Sequence, residues 1–139
     1  MNSLVAPPRV RIREIAFTPY PVTDLARARI FYEELLGLSP ATVWAADGKG
    51  WIEYEIGSST LAISNMAADQ WVPAKQGPSA ALEAVDFAEA VDALRRAGAV
   101  FYMDPTAGES CQMAVISDPD GNSLILHQRA GAPLSTHGA

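Results

Sequence analysis

Side chains able to do acid–base, nucleophilic or metal chemistry are scarce in this chain of 139 residues. It holds two histidines, His127 and His137, one cysteine, Cys111, and sixteen Asp plus Glu. His127 lies two residues after Ile125, so strand alternation puts both on one face. An imidazole there can anchor a ligand or carry a proton near neutral pH; its plainer role is a satisfied histidine at a strand's end. Glu83, which shares parity with Ser79, would make an acid–base pair with His127 if the fold joins their strands. Glu53 and Glu55 fit a solvated or rim face, with Glu53 able to reach the mouth of a pocket. Cys111 is flanked by Ser110 and Gln112 and has no base near it in sequence to lower its pKa, so it reads as a buried strand cysteine. Asp118 and Asp120 belong to the turn sequence Asp118-Pro119-Asp120-Gly121-Asn122 and serve its geometry. No G-x-S-x-G, phosphate-binding loop or G-x-G-x-x-G occurs.

The histidine count limits metal chemistry before any fold is assigned. A site of two histidines and one carboxylate needs two imidazoles. His137 falls in the stretch 130–139, AGAPLSTHGA, which is small, Pro- and Gly-containing and without periodicity. Three tryptophans, Trp44, Trp51 and Trp71, are the other conspicuous residues. Each can line a ligand groove or pack a core or interface, and Trp71 stands out because it falls in a loop.

These residues sit in a chain that is 49% hydrophobic and 19% charged, enough apolar material for one core and too little charge for disorder. A net charge of −6 and a pI near 4.7 argue against nucleic acid as a partner, which calls for a basic stripe. The one basic cluster, Arg9, Arg11 and Arg13, reads as a solvated strand edge. A single cysteine excludes an intrachain disulfide. The opening MNSLVAPPRVRIREIAF lacks the apolar run of a signal peptide, and no stretch approaches the roughly 20 apolar residues of a membrane helix. The expected setting is cytoplasmic, with no membrane partner.

Two amphipathic helices are predicted. Leu25, Ala28, Phe31, Tyr32, Leu35 and Leu36 recur at helical spacing between a capping Asp24 and a terminating Gly37. Phe87, Ala90, Val91, Leu94 and Ala97 do the same between Asp86 and Gly98, with Glu89 completing a variant capping box. Strands are predicted over 12–20, 41–45, 51–56 and 59–64, with Gly48, Gly50 and Gly57 as turn residues. A loop of mainly Ala, Gln, Pro and Gly follows. The order then returns: strands over 80–85, 100–103, 112–117 and 123–128, with the second helix after the first of them. The simplest account is a duplicated βαβββ unit.

The segments YPVTDLARARIFYEELLGL (Tyr20–Leu38) and SDPDGNSLILHQR (Ser117–Arg129), together with the repeat, resemble the vicinal oxygen chelate superfamily. That group includes glyoxalase I, extradiol dioxygenases and the fosfomycin- and bleomycin-resistance proteins. The resemblance spans about residues 10–129. It implies an α+β fold in which two βαβββ modules form curved mixed sheets with helices on the outer face. It further implies a concave face on which the family's enzymes hold a divalent metal. The family's ligand positions fall on Phe17 and Ser79, each seven residues before a capping aspartate, on Ala62 in the fourth strand and on Ile125 in the last. None of the four is a metal ligand, and Ser64 would serve no better than Ala62. The expectation is therefore a metal-free groove without a cofactor, as in bleomycin-resistance-like proteins, where aromatic rings line a groove at a dimer interface.

The sequence thus predicts an arm at 1–9, a first module at 10–66, a loop at 67–78, a second module at 79–129 and a tail at 130–139. It predicts a homodimer binding a partly apolar or aromatic small molecule through Phe17, Trp51, Ala62, Ser79, Glu83, Ile125 and His127. The rival is a metal-dependent lyase, isomerase or dioxygenase of the same superfamily.

Overall fold

A computed structural model describes residue 9 and residues 11–131. The arm and tail expectations, His137 included, lie outside the described residues except at Arg9, Ala130 and Gly131, which are exposed. The chain forms β1 (Thr18–Pro21), α1 (Leu25–Arg29), β2 (Pro40–Ala46), β3 (Lys49–Ile56), β4 (Ser59–Ser64), β5 (Ala80–Glu83), α2 (Phe87–Arg96), β6 (Phe101–Ala107), β7 (Cys111–Ser117) and β8 (Ser123–Arg129).

The repeat is real. The first four strands make a sheet in the order β1-β4-β3-β2, and the last four make one in the order β5-β8-β7-β6. In each, the strand before the helix pairs parallel to the module's last strand, and the other pairings are antiparallel. Both helices begin as the sequence requires. Asp24 accepts from the Arg27 N–H at 3.0 Å, and Asp86 accepts from the Glu89 N–H at 3.1 Å, each supplying a partner for an otherwise orphaned donor.

One face of each sheet carries the core. Ile52, Tyr54, Leu61 and Ile63 pack with Ala28, Phe31 and Tyr32, while Ala114, Ile116, Leu124 and Leu126 pack with Phe87 and Leu94. All belong to a single cluster, so the two modules meet on their helix-bearing side. Buried polar groups lock that junction. The Tyr20 hydroxyl donates to the Ser123 carbonyl at 2.7 Å and accepts from the Ala80 N–H at 2.7 Å. The Tyr32 hydroxyl donates to Asp118 at 2.7 Å, and Asn122 donates to the Pro21 carbonyl at 2.8 Å.

Four expectations are corrected. The first strand starts at Thr18 rather than Ile12, because its pairing with β4 begins at Thr18 opposite Leu61; residues 11–17 are exposed and extend outside the sheet. The first helix widens after Arg29 into a π-helix over Ile30–Leu35, in which the Leu36 N–H reaches back to the Phe31 carbonyl. β6 continues past Met103 to Ala107. Pro105 is tolerated there because β6 is an edge strand whose register shifts on both sides of Met103. Gly50 is a strand residue, not a turn. A Cβ there would lie 2.7 Å from the Trp44 carbonyl oxygen and 2.8 Å from Leu25 Cδ1, so the glycine lets β2 and α1 close on β3.

Candidate functional site

The face of each sheet turned away from the core is where the candidate residues collect. In the first sheet the register opposes Trp51 to Trp44 and to Ser64, Glu53 to Ala62, and Ala62 to Pro19. Ile52 and Tyr54 are buried in the core, so Trp51 and Glu53 must point the other way. Phe17, just before β1, packs edge-on against Trp51 with ring centroids 5.3 Å apart and planes at 86°, the geometry that suits two aromatic quadrupoles. Trp51 Nε1–H donates to Glu53 at 2.9 Å, which satisfies the indole and fixes a carboxylate beside it. Ala62 is fully buried at the foot of this ledge. Phe17 remains 41% exposed and Trp44 51%, unusual for rings of this size.

Trp44 joins this ledge, and the signal for its position is local. Asp47 and Gly48 both have positive φ, the backbone of a tight two-residue hairpin turn. That turn pairs Ala46 with Lys49 and so brings Trp44 opposite Trp51.

In the second sheet, Leu124 and Leu126 belong to the core, leaving Ile125 and His127 on the opposite face. The parallel register pairs Ala81 with Ile125 and Glu83 with His127. The antiparallel register adds Val115 beside Ile125 and Met113 beside His127. Glu83 and His127 do meet: Oε1 lies 2.6 Å from His127 Nδ1. The Arg129 N–H donates to Glu83 Oε2 at 2.8 Å, and the Arg129 guanidinium stands 3.8 Å from Oε1. The hydrogen bond from His127 holds the Glu83 carboxyl below its ordinary range, outweighing slight desolvation, with the Arg129 N–H acting in the same direction. The carboxylate is thus the resident form, and it fixes one ring nitrogen of His127.

The remaining candidates fall elsewhere. Ser79 is half-buried just before β5, beside the Tyr20 hydroxyl. Trp71 is half-buried and lines a hollow with Thr18, Tyr20 and Pro21. Cys111 opens β7 as a free, partly buried thiol. Asp118 is a turn hub, accepting from the N–H groups of Asp120 and Asn122 and from the Asn122 side chain. Asp120 does more than shape the turn: it binds Arg27 at 2.7 Å and Thr23 across the module junction. A cavity of about 320 Å³ lies on the helix side, lined by Leu35, Leu38, Ile56, Leu82 and Leu94. It is a seam between the modules, and Glu83 lies at its edge as well as against His127.

The donor set does not fit the metal that the fold's enzymes hold. Phe17, Ala62 and Ile125 offer no lone pair, and a neutral serine hydroxyl at Ser79 is a weak ligand. Among the described residues, no three His, Cys, Asp or Glu side chains stand close enough to hold an ion. No helix among them is long and apolar enough to cross a membrane.

Comparison with known proteins places this geometry. No curated protein matches the chain in sequence. Among solved structures, it is similar to TnmS3, an antibiotic-binding protein from Streptomyces sp. CB03234, with 20% identity over 88% of this chain and 100% of that one and a TM-score of 0.70. A glyoxalase/bleomycin resistance protein from the same strain shares 21% identity over 83% and 100% of the two chains, at a TM-score of 0.66. The trypanothione-dependent glyoxalase I of Leishmania major shares 23% over 84% and 87%, at 0.68. At these identities the likeness is one of fold. The family model for the Glyoxalase/Bleomycin resistance protein/Dioxygenase superfamily matches residues 11–126, and the chain belongs to that superfamily.

Proposed function

We propose that this protein binds a small, flat, partly apolar molecule on its open sheet faces without a metal ion, as a sequestering protein rather than a metalloenzyme. The observation that carries the reading is the ledge formed by Phe17, Trp51 and Trp44. Phe17 meets Trp51 edge-on, Phe17 and Trp44 stay exposed, which costs solvation unless something covers them, and the carboxylate of Glu53 is fixed beside Trp51. TnmS3, described as antibiotic-binding, has the same fold. The rival reading, a metal-dependent lyase, isomerase or dioxygenase, finds no lone pair at Phe17, Ala62 or Ile125 and only a neutral hydroxyl at Ser79. A second copy of the chain completes the groove in a homodimer, a reading supported by the exposed strand β2 and its Trp44. Ile125 and His127 belong to the same binding surface on the second sheet.

Tryptophan fluorescence tests this. Titration with a panel of flat aromatics (nitroanisole, naphthol, anthraquinone and acridine) is expected to give saturable quenching with at least one member. Phe17→Ala should weaken that binding roughly fivefold, the loss of one edge-to-face partner. Linear, non-saturating quenching by every member, indifferent to Phe17→Ala, would sink the reading.

A further inference from the structure

The Glu83–His127 contact has a consequence for what the second sheet can recognise. Glu83 is present as the carboxylate, which only accepts hydrogen bonds, and its Oε1 lies 2.6 Å from Nδ1 of His127. In the neutral imidazole one nitrogen carries the proton and the other a lone pair. A carboxylate against Nδ1 therefore puts the proton on Nδ1 and leaves Nε2 as an acceptor. Glu83 is itself held from a second side by the Arg129 N–H on Oε2, so the carboxylate cannot easily rotate away. Met113 and Ile125, neighbours of His127 on the same face, give an apolar floor suited to an aromatic ring, with the Met113 thioether adding a favourable sulfur contact.

We propose that Glu83 and His127 form a carboxylate-oriented imidazole that receives the hydroxyl proton of a phenolic ligand lying on Met113 and Ile125. This deepens the binding role assigned above and rests on it, by naming the ligand class as aromatic hydroxyl compounds. The ligand O–H bond breaks, an Nε2–H bond forms, and the phenolate stays hydrogen-bonded to the new imidazolium. The charges close within the cluster: imidazolium and the Arg129 guanidinium balance Glu83 and the phenolate. His127 touches the ligand; Glu83 is a positioning residue that acts through it.

Two measurements test the proposal. Long-range proton–nitrogen NMR correlations of the unmutated protein at a pH where His127 is neutral should show Nδ1 protonated and Nε2 bare. Glu83→Ala should return the ring to the Nε2–H form. An Nε2–H ring in the unmutated protein overturns the proposal without recourse to any variant. In the second, 4-nitrophenol, whose absorption distinguishes phenol from phenolate, is compared with 4-nitroanisole, which has the same ring but no proton. The parent should bind nitrophenol roughly tenfold more tightly than nitroanisole, with the phenolate spectrum appearing at a lower pH than for the free compound. In His127→Gln and in Glu83→Ala the preference for nitrophenol over nitroanisole and the shift of the phenolate spectrum should both be lost. Equal affinity for the two compounds in the parent, with the aromatic panel still binding, overturns the dyad alone. Failure of the whole panel removes the binding role and the dyad's ligand together.

Discussion

At the scale of single residues, the positions that the resemblance assigns to metal ligands carry Phe17, Ala62, Ile125 and the neutral Ser79, while a polar pair forms where Glu83 meets His127, two residues past Ile125. Glu83 is the residue on which the acid stability of that pair turns. Its folded pKa is depressed below the ordinary 4.5, so it contributes stability that is fully present above that value and is lost as pH falls through the folded pKa. Denaturant midpoints measured from neutral pH down to about pH 3 should therefore show a decline in the parent that is shallower in Glu83→Gln. The two proteins should converge at the acid end. Because Glu83 is substantially exposed, solvent screening keeps the effect small. Equal slopes would mean that the 2.6 Å contact carries no linkage.

At the scale of elements, helix starts and hairpin turns decide where side chains point. Asp86 heads the ten-residue α2, which covers the second sheet with Phe87 and Leu94. Asp86→Ala removes the acceptor of the Glu89 N–H and should cost about 1 kcal/mol, read as a lower urea midpoint with an unchanged m-value. A loss below about 0.3 kcal/mol would show that α2 is held by packing alone. The Asp47-Gly48 turn acts on function in the same way as the cap acts on stability. It sets the register that puts Trp44 against Trp51, and a one-residue slip would turn the aromatic ledge into the core.

At the scale of the whole molecule, the two modules share one core on the helix side and leave two sheet faces outward. β2 is exposed along all seven of its residues, Val43 and Trp44 included. A sheet edge and aromatic face of this kind favour association, and a symmetric dimer is the commonest outcome. Sedimentation equilibrium at micromolar concentration is expected to give twice the 14.8 kDa chain mass, and Trp44→Asp should shift the population to monomer. A monomer for the parent at those concentrations would leave the open faces to the ligand alone. The junction between modules also explains two buried tyrosines. Burial raises the pKa of Tyr32 well above its ordinary value, and the adjacent Asp118 carboxylate pushes it further, so the hydroxyl is a fixed donor pinning the π-helical end of the first helix to the β7–β8 turn.

The sequence by itself determined the two-module architecture, both helix starts and the face on which Trp51, Ile125 and His127 lie. Each of these follows from local rules: a capping aspartate, a glycine stop, a period of two or 3.6 residues. Residue type alone also fixes that Phe17, Ala62 and Ile125 offer no side-chain lone pair. The tertiary structure decided what depends on partners distant in sequence. β1 could not reach back to Ile12, since a strand exists only where a neighbour satisfies its backbone. Pro105 could stay in β6 only because that strand is an edge. Gly50 proved to be a point of close approach, which no turn rule anticipates. Glu83 and His127 carried matching parity in the sequence, but parity fixes a face and not a position along it. Their meeting required the parallel register of β5 against β8, and register across a crossover is set by how the intervening helix packs.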